Sequence, residues 1–231
     1  MPTSSYPPLF RLRFMIVNAF TSCNLLIGVL SLIAATTGTI AIAAWGLLLC
    51  VLLDTCDGLL ARRWHVATDF GAQLDSLADM TSFIIAGTAL TFYWARTTPI
   101  LLPIVTVSGL YALSGAIRLA RFNTGLERSD YFQGVPTTFG AAVIAANYLA
   151  YPALAAGWVM ALVGLLAALM VSTWPYPKLI TLRRCPPWLL LVLIPSAVFS
   201  PTWTVWVVTA VYLCLGPAIW VYQKRLGFIK E

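Results

Sequence analysis

The chain has 231 residues, of which 60% are hydrophobic and 10% are charged, with a mean hydropathy of +0.87 and a formal net charge of +6. A soluble domain of this length does not need so much apolar surface, so the composition predicts a polytopic membrane protein in the lipid bilayer. The apolar composition excludes a secreted disulfide scaffold and a disordered tail. The net positive charge does not indicate a nucleic-acid-binding domain, because Lys and Arg in a membrane protein chiefly set the orientation of the chain.

Apolar runs divide the chain into eight predicted spans. A spanning helix needs about 20 apolar residues, or fewer where it is tilted or buried. In chain order the runs cover residues 16–36, 39–60, 71–94, 99–120, 137–152, 156–173, 187–199 and 203–222. The fifth and seventh runs are short, so length alone leaves counts from six to eight open. The predicted fold class is all-α, a polytopic transmembrane helix bundle.

The basic residues favour eight spans. Lys and Arg in short loops mark the cytoplasmic side, and with eight spans all 14 of them except Arg96 fall on one side. Both termini are then cytoplasmic, in the cell membrane. We interpret residues 1–231 as a single integral membrane domain with a six-helix body at 15–173 and an additional C-terminal helix pair at 187–222.

The acidic residues are concentrated in one window. Ionisable groups at membrane depth cost several kcal/mol and are candidates for function, and five of the eight acids lie within residues 54–79. Asp54 and Asp57 are three apart and share a helix face at the end of the second span. Asp75 and Asp79 are four apart and share another near the start of the third span. The short turn between these spans predicts antiparallel neighbouring helices that bring the four carboxylates together.

Four carboxylates in one site need positive charge between them. Oxygen ligands suit the hard divalent cations Mg2+, Mn2+ and Ca2+, and the sequence has no clustered His or Cys that would favour zinc or copper. Four carboxylates are enough for a two-metal site of the kind that clamps the attacking and leaving oxygens in phosphoryl transfer. The alternative is a set of helix-end acids paired with Arg62 and Arg63.

Small residues and one arginine accompany the acids. Gly58 and Ala61 leave room beside the first acidic pair, and Gly71 does so one turn before the second, which allows a ligand or a facing helix to approach the backbone. Arg62 has the fork geometry that pairs with phosphate oxygens.

The first predicted span has a polar face. Asn18, Thr21 and Asn24 recur at three-residue steps, which places them on one side of a helix in lipid. Such side chains either contact a ligand or hydrogen-bond to a neighbouring helix, and the residues themselves leave both readings open.

The spacing of the acidic window resembles the signature of the CDP-alcohol phosphotransferase family at every fixed position. The pattern in this chain is Asp54-x2-Asp57-Gly58-x2-Ala61-Arg62-x8-Gly71-x3-Asp75-x3-Asp79. In that family a nucleotide-activated lipid, usually CDP-diacylglycerol, gives its phosphatidyl group to an alcohol and releases CMP. Asp69 lies outside the pattern and is interpreted as a loop acid or a helix cap.

The resemblance implies roles for individual residues. The four aspartates of the pattern would hold two divalent cations, Mg2+ or Mn2+ with Ca2+ as a further occupant, and Asp79 would also be the base for the acceptor hydroxyl. Arg62 would bind the diphosphate. The remaining residues implied for the CDP-lipid site are Asn18, Thr21, Gly58, Ala61 and Gly71.

A second segment bears on the acceptor alcohol. Arg118-Leu119-Ala120-Arg121-Phe122-Asn123, followed by Tyr131-Phe132-Gln133-Gly134-Val135-Pro136, resembles the segment typical of bacterial and archaeal phosphatidylserine synthases within the family. Val135 and Thr138 depart from the Leu and Pro that are usual there. The resemblance implies L-serine as acceptor, with Arg118, Arg121 and Asn123 binding the acceptor or a lipid phosphate. The alternative for the two arginines is anchoring of the chain at the cytoplasmic interface.

Other functions stay open from the sequence. Another acceptor, such as glycerol phosphate or inositol phosphate, fits the same signature. A divalent-cation transporter is a remote alternative, because a transporter carries acids within several spans, and outside the window this chain has three acids, Glu127, Asp130 and Glu231. The family resemblance also implies a homodimer with its active site facing the cytoplasm.

Overall fold

The computed structural model describes residues 7–96, 101–124, 131–177 and 201–225. Helices make up most of this part of the chain. They are α1 (Pro8–Thr36), α2 (Ile40–Trp64), α3 (Asp69–Asp79), α4 (Ala86–Ala95), α5 (Leu101–Asn123), α6 (Thr137–Ala150), α7 (Ala156–Val171) and α8 (Pro201–Arg225). A π-helical turn, Met80–Ile85, joins α3 directly to α4. Two short strands, β1 (Tyr131–Gln133) and β2 (Pro175–Pro177), pair antiparallel.

The helices confirm a helical integral membrane protein. Among the described residues, α1, α2 and α5 are long and apolar enough to cross a membrane, and α6, α7 and part of α8 are shorter apolar helices. Large apolar side chains are exposed along α1, among them Leu26, Leu30 and Ile33, as expected of a helix that faces lipid. The count of eight spans and the side of the termini stay predictions, and the seventh predicted span, 187–199, lies outside the described residues.

The first helix begins earlier than hydropathy predicts. α1 starts at Pro8, eight residues before the predicted span, because proline is well suited to the first turn of a helix and hydropathy does not register a charged helical turn. Arg11 and Arg13 therefore belong to the helix. The Arg13 guanidinium lies 5.9 Å from the centre of the Trp64 ring, so it joins the start of α1 to the end of α2.

The third predicted span is a helix from Asp69 to Ala95 that is interrupted by the π-helical turn. The hydroxyl of buried Tyr111 donates to the Phe83 carbonyl at 3.3 Å, and the Ser82 hydroxyl donates to the Asn24 carbonyl at 3.0 Å. A π-turn changes which residues share a face and is frequent at functional sites. Here α1 and α5 hold it directly behind Asp79.

Glycines allow this close packing. A Cβ atom at Gly28 would lie 2.7 Å from the Ser82 Cα, and a Cβ atom at Gly115 would lie 2.7 Å from a side-chain carbon of Ile84. Real side chains do not approach so closely, so the helices on both sides of the π-turn require a residue without a side chain at these positions.

The last described helix docks on the sheet and on α6 through three aromatic residues, Phe139, Tyr176 and Tyr212, which we call the aromatic dock. Tyr212 stacks on the other two rings, with centroid distances of 3.8 Å and 5.5 Å. The buried Tyr176 hydroxyl donates to the Leu213 carbonyl at 3.1 Å. Pro217 has no N–H for that carbonyl, which is four residues earlier in the helix, so Tyr176 supplies the missing donor.

Candidate active site

The structure brings four aspartates together, and we call Asp54, Asp57, Asp75 and Asp79 the acidic cluster. The first two lie on α2 and the others on α3. One carboxylate oxygen from each of Asp54, Asp57 and Asp75 lies within 4.8 Å of the others. The Asp79 side chain lies close enough to Asp54 and Asp75 to interact with them electrostatically. Aspartates that are spaced along two helices thus form one site.

The helices that carry the cluster are not packed as simple neighbours. α1 packs along both α2 and α3, while the backbone of α2 approaches the third span chiefly at the π-turn and α4. This differs from the expected antiparallel contact of α2 with α3. The acidic side chains of the two helices therefore meet at this end without close packing of the helix backbones.

The turn between α2 and α3 is set by local backbone chemistry. α2 ends at Trp64, and the capping residue His65 has a left-handed conformation with φ of 53°. Thr68 directly precedes α3 and is its N-cap, since its hydroxyl accepts the Gly71 N–H at 3.1 Å. Asp69 occupies the first turn of the helix, where its charge suits the helix dipole. The interpretation of Asp69 as a loop acid or cap was wrong for this reason.

Asp57 is fixed by the polar face of α1. It is 3% exposed, and its Oδ2 accepts a hydrogen bond from the buried Thr21 hydroxyl at 2.7 Å. A donor of this kind orients a carboxylate that serves as a metal ligand. Thr21, predicted for the CDP-lipid site, therefore also contacts the acidic cluster.

Several buried oxygen atoms of the site have no hydrogen-bond partner among the described residues. They are Oδ1 of Asp75, Oδ1 of Asp79 and Oδ1 of Asn18. A buried polar atom without a partner costs about 1–3 kcal/mol, and a ligand bound beside several such atoms would offset that cost. Carboxylate oxygens are the donors that Mg2+ and Mn2+ prefer. The acidic cluster therefore fits divalent cations.

Two arginines offset part of the negative charge of the acidic cluster. The charge of Arg62 acts on Asp54 and Asp57, and its guanidinium lies beside Gly58, where an added Cβ would be 3.5 Å from Nη1. Arg118 is 5% exposed, donates from Nη1 to the Thr137 hydroxyl at 3.4 Å, and acts electrostatically on Asp79. The two arginines thus act on different aspartates of the acidic cluster.

The remaining residues predicted for the CDP-lipid site lie on α1, α2 and α3. Gly71 faces Asn18, since an added Cβ at Gly71 would lie 3.7 Å from the Asn18 Oδ1. Ala61 is half-buried in the last turns of α2, and its carbonyl accepts the Val66 N–H at 3.1 Å. Asn18 and Gly71 therefore border one gap between α1 and α3.

Arg121 and Asn123 make contacts between helices. Arg121 donates to the carbonyls of Met170 and Val171 at 2.8 Å and 3.1 Å, which satisfies the C-terminal end of α7. Asn123 accepts a hydrogen bond from the Ser76 hydroxyl at 2.9 Å. These contacts tie α5 to α7 and to α3, and a role for either residue toward the acceptor stays a prediction.

Three residues lie behind the cluster: Asn24, which the sequence placed on the polar face of the first span, and Cys50 and Ser82, to which it gave no role in the site. The carbonyl of Asn24 accepts hydrogen bonds from Ser82 at 3.0 Å and from the Cys50 thiol at 3.4 Å. Cys50 is one turn before Asp54, and Ser82 is one turn after Asp79. The three-residue step from Thr21 to Asn24, and from Asp79 to Ser82, was the available signal.

Comparison with known proteins extends the family resemblance. A model of the family described as CDP-alcohol phosphatidyltransferase matches residues 14–174. The chain is 31% identical over 219 residues to the CDP-diacylglycerol–serine O-phosphatidyltransferase of Helicobacter pylori strain J99, covering 90% of this chain and 92% of that protein. It is 28% identical over 172 residues to the protein of the same name from Methanocaldococcus jannaschii, covering 74% and 78%.

A third relative has a different printed name. The archaetidylserine synthase of Methanothermobacter thermautotrophicus is 34% identical over 155 residues, covering 65% of this chain and 64% of that protein. The family model extends from within α1 to the end of α7 and so includes the acidic cluster. The resemblance seen in the sequence is confirmed, and the chain belongs to the CDP-alcohol phosphatidyltransferase family.

Proposed function

We propose that this protein is an integral membrane phosphatidylserine synthase. It transfers the phosphatidyl group of CDP-diacylglycerol to the hydroxyl of L-serine and releases CMP. The observation that carries the proposal is the acidic cluster, a set of oxygen donors with unpaired buried atoms, in a chain whose relatives over most of their length are named for transfer to serine.

The acidic cluster would hold two divalent cations, Mg2+ or Mn2+, which when bound neutralise the diphosphate and stabilise the departing CMP. Thr21 orients Asp57 within this set through the 2.7 Å hydrogen bond. Arg62 lies at the exposed end of α2 and binds a diphosphate oxygen. Asn18 offers its unpaired amide oxygen to the nucleotide, with Gly58, Ala61 and Gly71 leaving room beside it.

Asp79 is the general base of the proposed reaction. The serine oxygen attacks the phosphorus atom that carries the diacylglycerol, and its proton passes to the Asp79 carboxylate. The bond from that phosphorus to the bridging oxygen breaks, and its electron pair leaves with CMP. Arg118 binds the serine carboxylate in the proposed reaction, which is supported by its burial and by the effect of its charge on Asp79.

The proposal includes a location and an assembly. The active site faces the cytoplasm of a multi-pass protein in the cytoplasmic membrane, with eight spans and both termini on the cytoplasmic side, as the distribution of basic residues favours. Residues 15–173 form the catalytic six-helix body, residues 187–222 form an additional pair of helices within one domain, and the protein acts as a homodimer.

An acceptor screen tests the proposal. Full-length protein purified in detergent is incubated with labelled CDP-diacylglycerol, Mg2+ or Mn2+, and L-serine, glycerol phosphate or inositol phosphate, and the lipid products are separated by thin-layer chromatography. We expect a product with serine, CMP in equal amount, and no product in excess chelator. A product with another alcohol would assign a different acceptor within the family. In a separate assay with the protein in vesicles, metal flux without CMP release would instead indicate transport.

A further inference from the structure

The side chain of Asn24 in α1 has surroundings that the proposed function does not explain. The residue is 0% exposed, yet neither its amide nitrogen nor its amide oxygen has a hydrogen-bond partner among the described residues. Each unpaired atom costs about 1–3 kcal/mol. A leucine would fill the same space without this cost, so stability of the metal-free protein does not explain the amide.

Asn24 lies one turn behind the acidic cluster at a fixed position. Its carbonyl accepts hydrogen bonds from Cys50 of α2 and from Ser82 of the π-turn. Cys50 precedes Asp54 by four residues, and Ser82 follows Asp79 by three. The backbone of Asn24 is therefore held at the junction of the three elements that surround the cluster.

The direction of the helices points the amide toward the cluster. Side chains on an α-helix lean toward its N-terminus. On α1 this direction leads from Asn24 to the level of Thr21, which hydrogen-bonds Asp57. On α2, which follows α1 through a three-residue turn and packs along it, the same rule leans Asp54 back toward the level of Cys50. Asn24 and Asp54 thus lean toward each other from facing helices.

We propose that Asn24 is a positioning residue for Asp54: its amide hydrogen-bonds the Asp54 carboxylate when the acidic cluster holds its divalent cations. The inference rests on the proposed function, because it takes the cluster to be a cation site. An amide suits this place because it supplies a hydrogen-bond donor without adding a fifth negative charge. It also adds no positive charge that would compete with the divalent cations for the carboxylates. Mutation of a residue that hydrogen-bonds to a metal ligand commonly lowers metal affinity or activity by about 10–100-fold.

The test is Mn2+ binding to full-length protein in detergent, followed by the electron paramagnetic resonance signal of free Mn2+, with unfolding of the metal-free protein measured in chelator. We expect Asn24→Leu to weaken Mn2+ binding by about 10–100-fold without lowering the unfolding temperature of the metal-free protein. The matched control is Asn147→Leu, since Asn147 is also 0% exposed but lies in α6 beside the Tyr148 ring that contacts Trp94, at the end of the bundle away from the cluster. It should bind Mn2+ like the wild type.

Two results overturn the inference while leaving the proposed function intact. One is Mn2+ affinity of Asn24→Leu within twofold of the wild-type value. The other is a metal-free Asn24→Leu protein that unfolds at a lower temperature or does not fold, which would make Asn24 a structural residue. Absence of Mn2+ binding by the wild type would overturn the cation site itself and the inference with it.

Discussion

The acidic cluster and the aromatic dock differ in whether their buried polar groups have hydrogen-bond partners. In the dock, the Leu213 carbonyl that Pro217 leaves without a helical partner accepts a hydrogen bond from Tyr176. Around the cluster, by contrast, Asp75 and Asp79 keep buried oxygen atoms without any partner among the described residues. Both regions lie in the same bundle, so the difference does not come from the environment of the membrane.

This difference indicates that the aromatic dock contributes to stability and the acidic cluster to function. A satisfied polar group lowers the free energy of the folded chain, whereas an unsatisfied buried group raises it and persists when a ligand makes use of it. The dock is therefore expected to respond to substitution chiefly in thermal stability. The cluster is expected to respond chiefly in metal binding and turnover.

Replacement of the proposed base should have the largest effect. Asp79→Asn keeps the size of the side chain but removes its ability to accept the serine proton, so we expect turnover with saturating Mg2+ to fall by about 10²–10⁴-fold. The control is Asp69→Asn, an exposed acid in the first turn of α3 outside the cluster, which should keep wild-type turnover. Near wild-type activity of Asp79→Asn in the purified enzyme would remove the base assignment.

The donor to Asp57 should come next. Thr21→Val preserves the shape of the side chain but leaves the buried Oδ2 of Asp57 without its 2.7 Å hydrogen bond. We expect the apparent affinity for Mn2+ or the turnover to fall by about 10–100-fold. Thr21→Ser retains the hydroxyl and should recover most of the loss. If valine and serine behave alike, the hydroxyl does not orient the carboxylate.

The close approach of α1 to the π-turn gives a third prediction, on stability. Gly28→Ala places a Cβ atom 2.7 Å from the Ser82 Cα, and we expect the free energy of unfolding in detergent to fall by about 1–3 kcal/mol. Gly109→Ala is the matched control, because an added Cβ in that part of α5 meets no atom within 4 Å. It should be neutral or slightly stabilising. Equal effects of the two substitutions would contradict the packing argument.

The helices and the acidic cluster were largely predictable from the sequence. Apolar runs place α2, α5, α6 and α7 within about four residues of their observed ends, because membrane helices must satisfy their own backbone hydrogen bonds. The acids could be grouped because helical spacing decides which side chains share a face. These are local properties of the chain.

The rest depends on contacts that sequence spacing does not contain. Arg121 donates to carbonyls about 50 residues away in the chain, so its basic charge alone does not distinguish a helix-capping role from an anion-binding role. The π-turn leaves no trace in hydropathy, since Met80–Ile85 reads as ordinary apolar helix. Asn24 belonged to a visible polar face, but its complete burial without a partner appears only in the fold.

The smallest expected effect concerns the aromatic dock. Tyr176→Phe removes the hydroxyl that donates to Leu213, and we expect the free energy of unfolding to fall by about 1 kcal/mol with turnover unchanged. The same substitution in a Pro217→Ala background should cost less, because an alanine at that position restores the backbone N–H that the Leu213 carbonyl lacks. A double-mutant cycle from thermal unfolding in detergent measures the coupling between the two positions. Strict additivity would mean that Tyr176 does not substitute for the missing helical donor, and the dock would then be held by ring stacking rather than by this hydrogen bond.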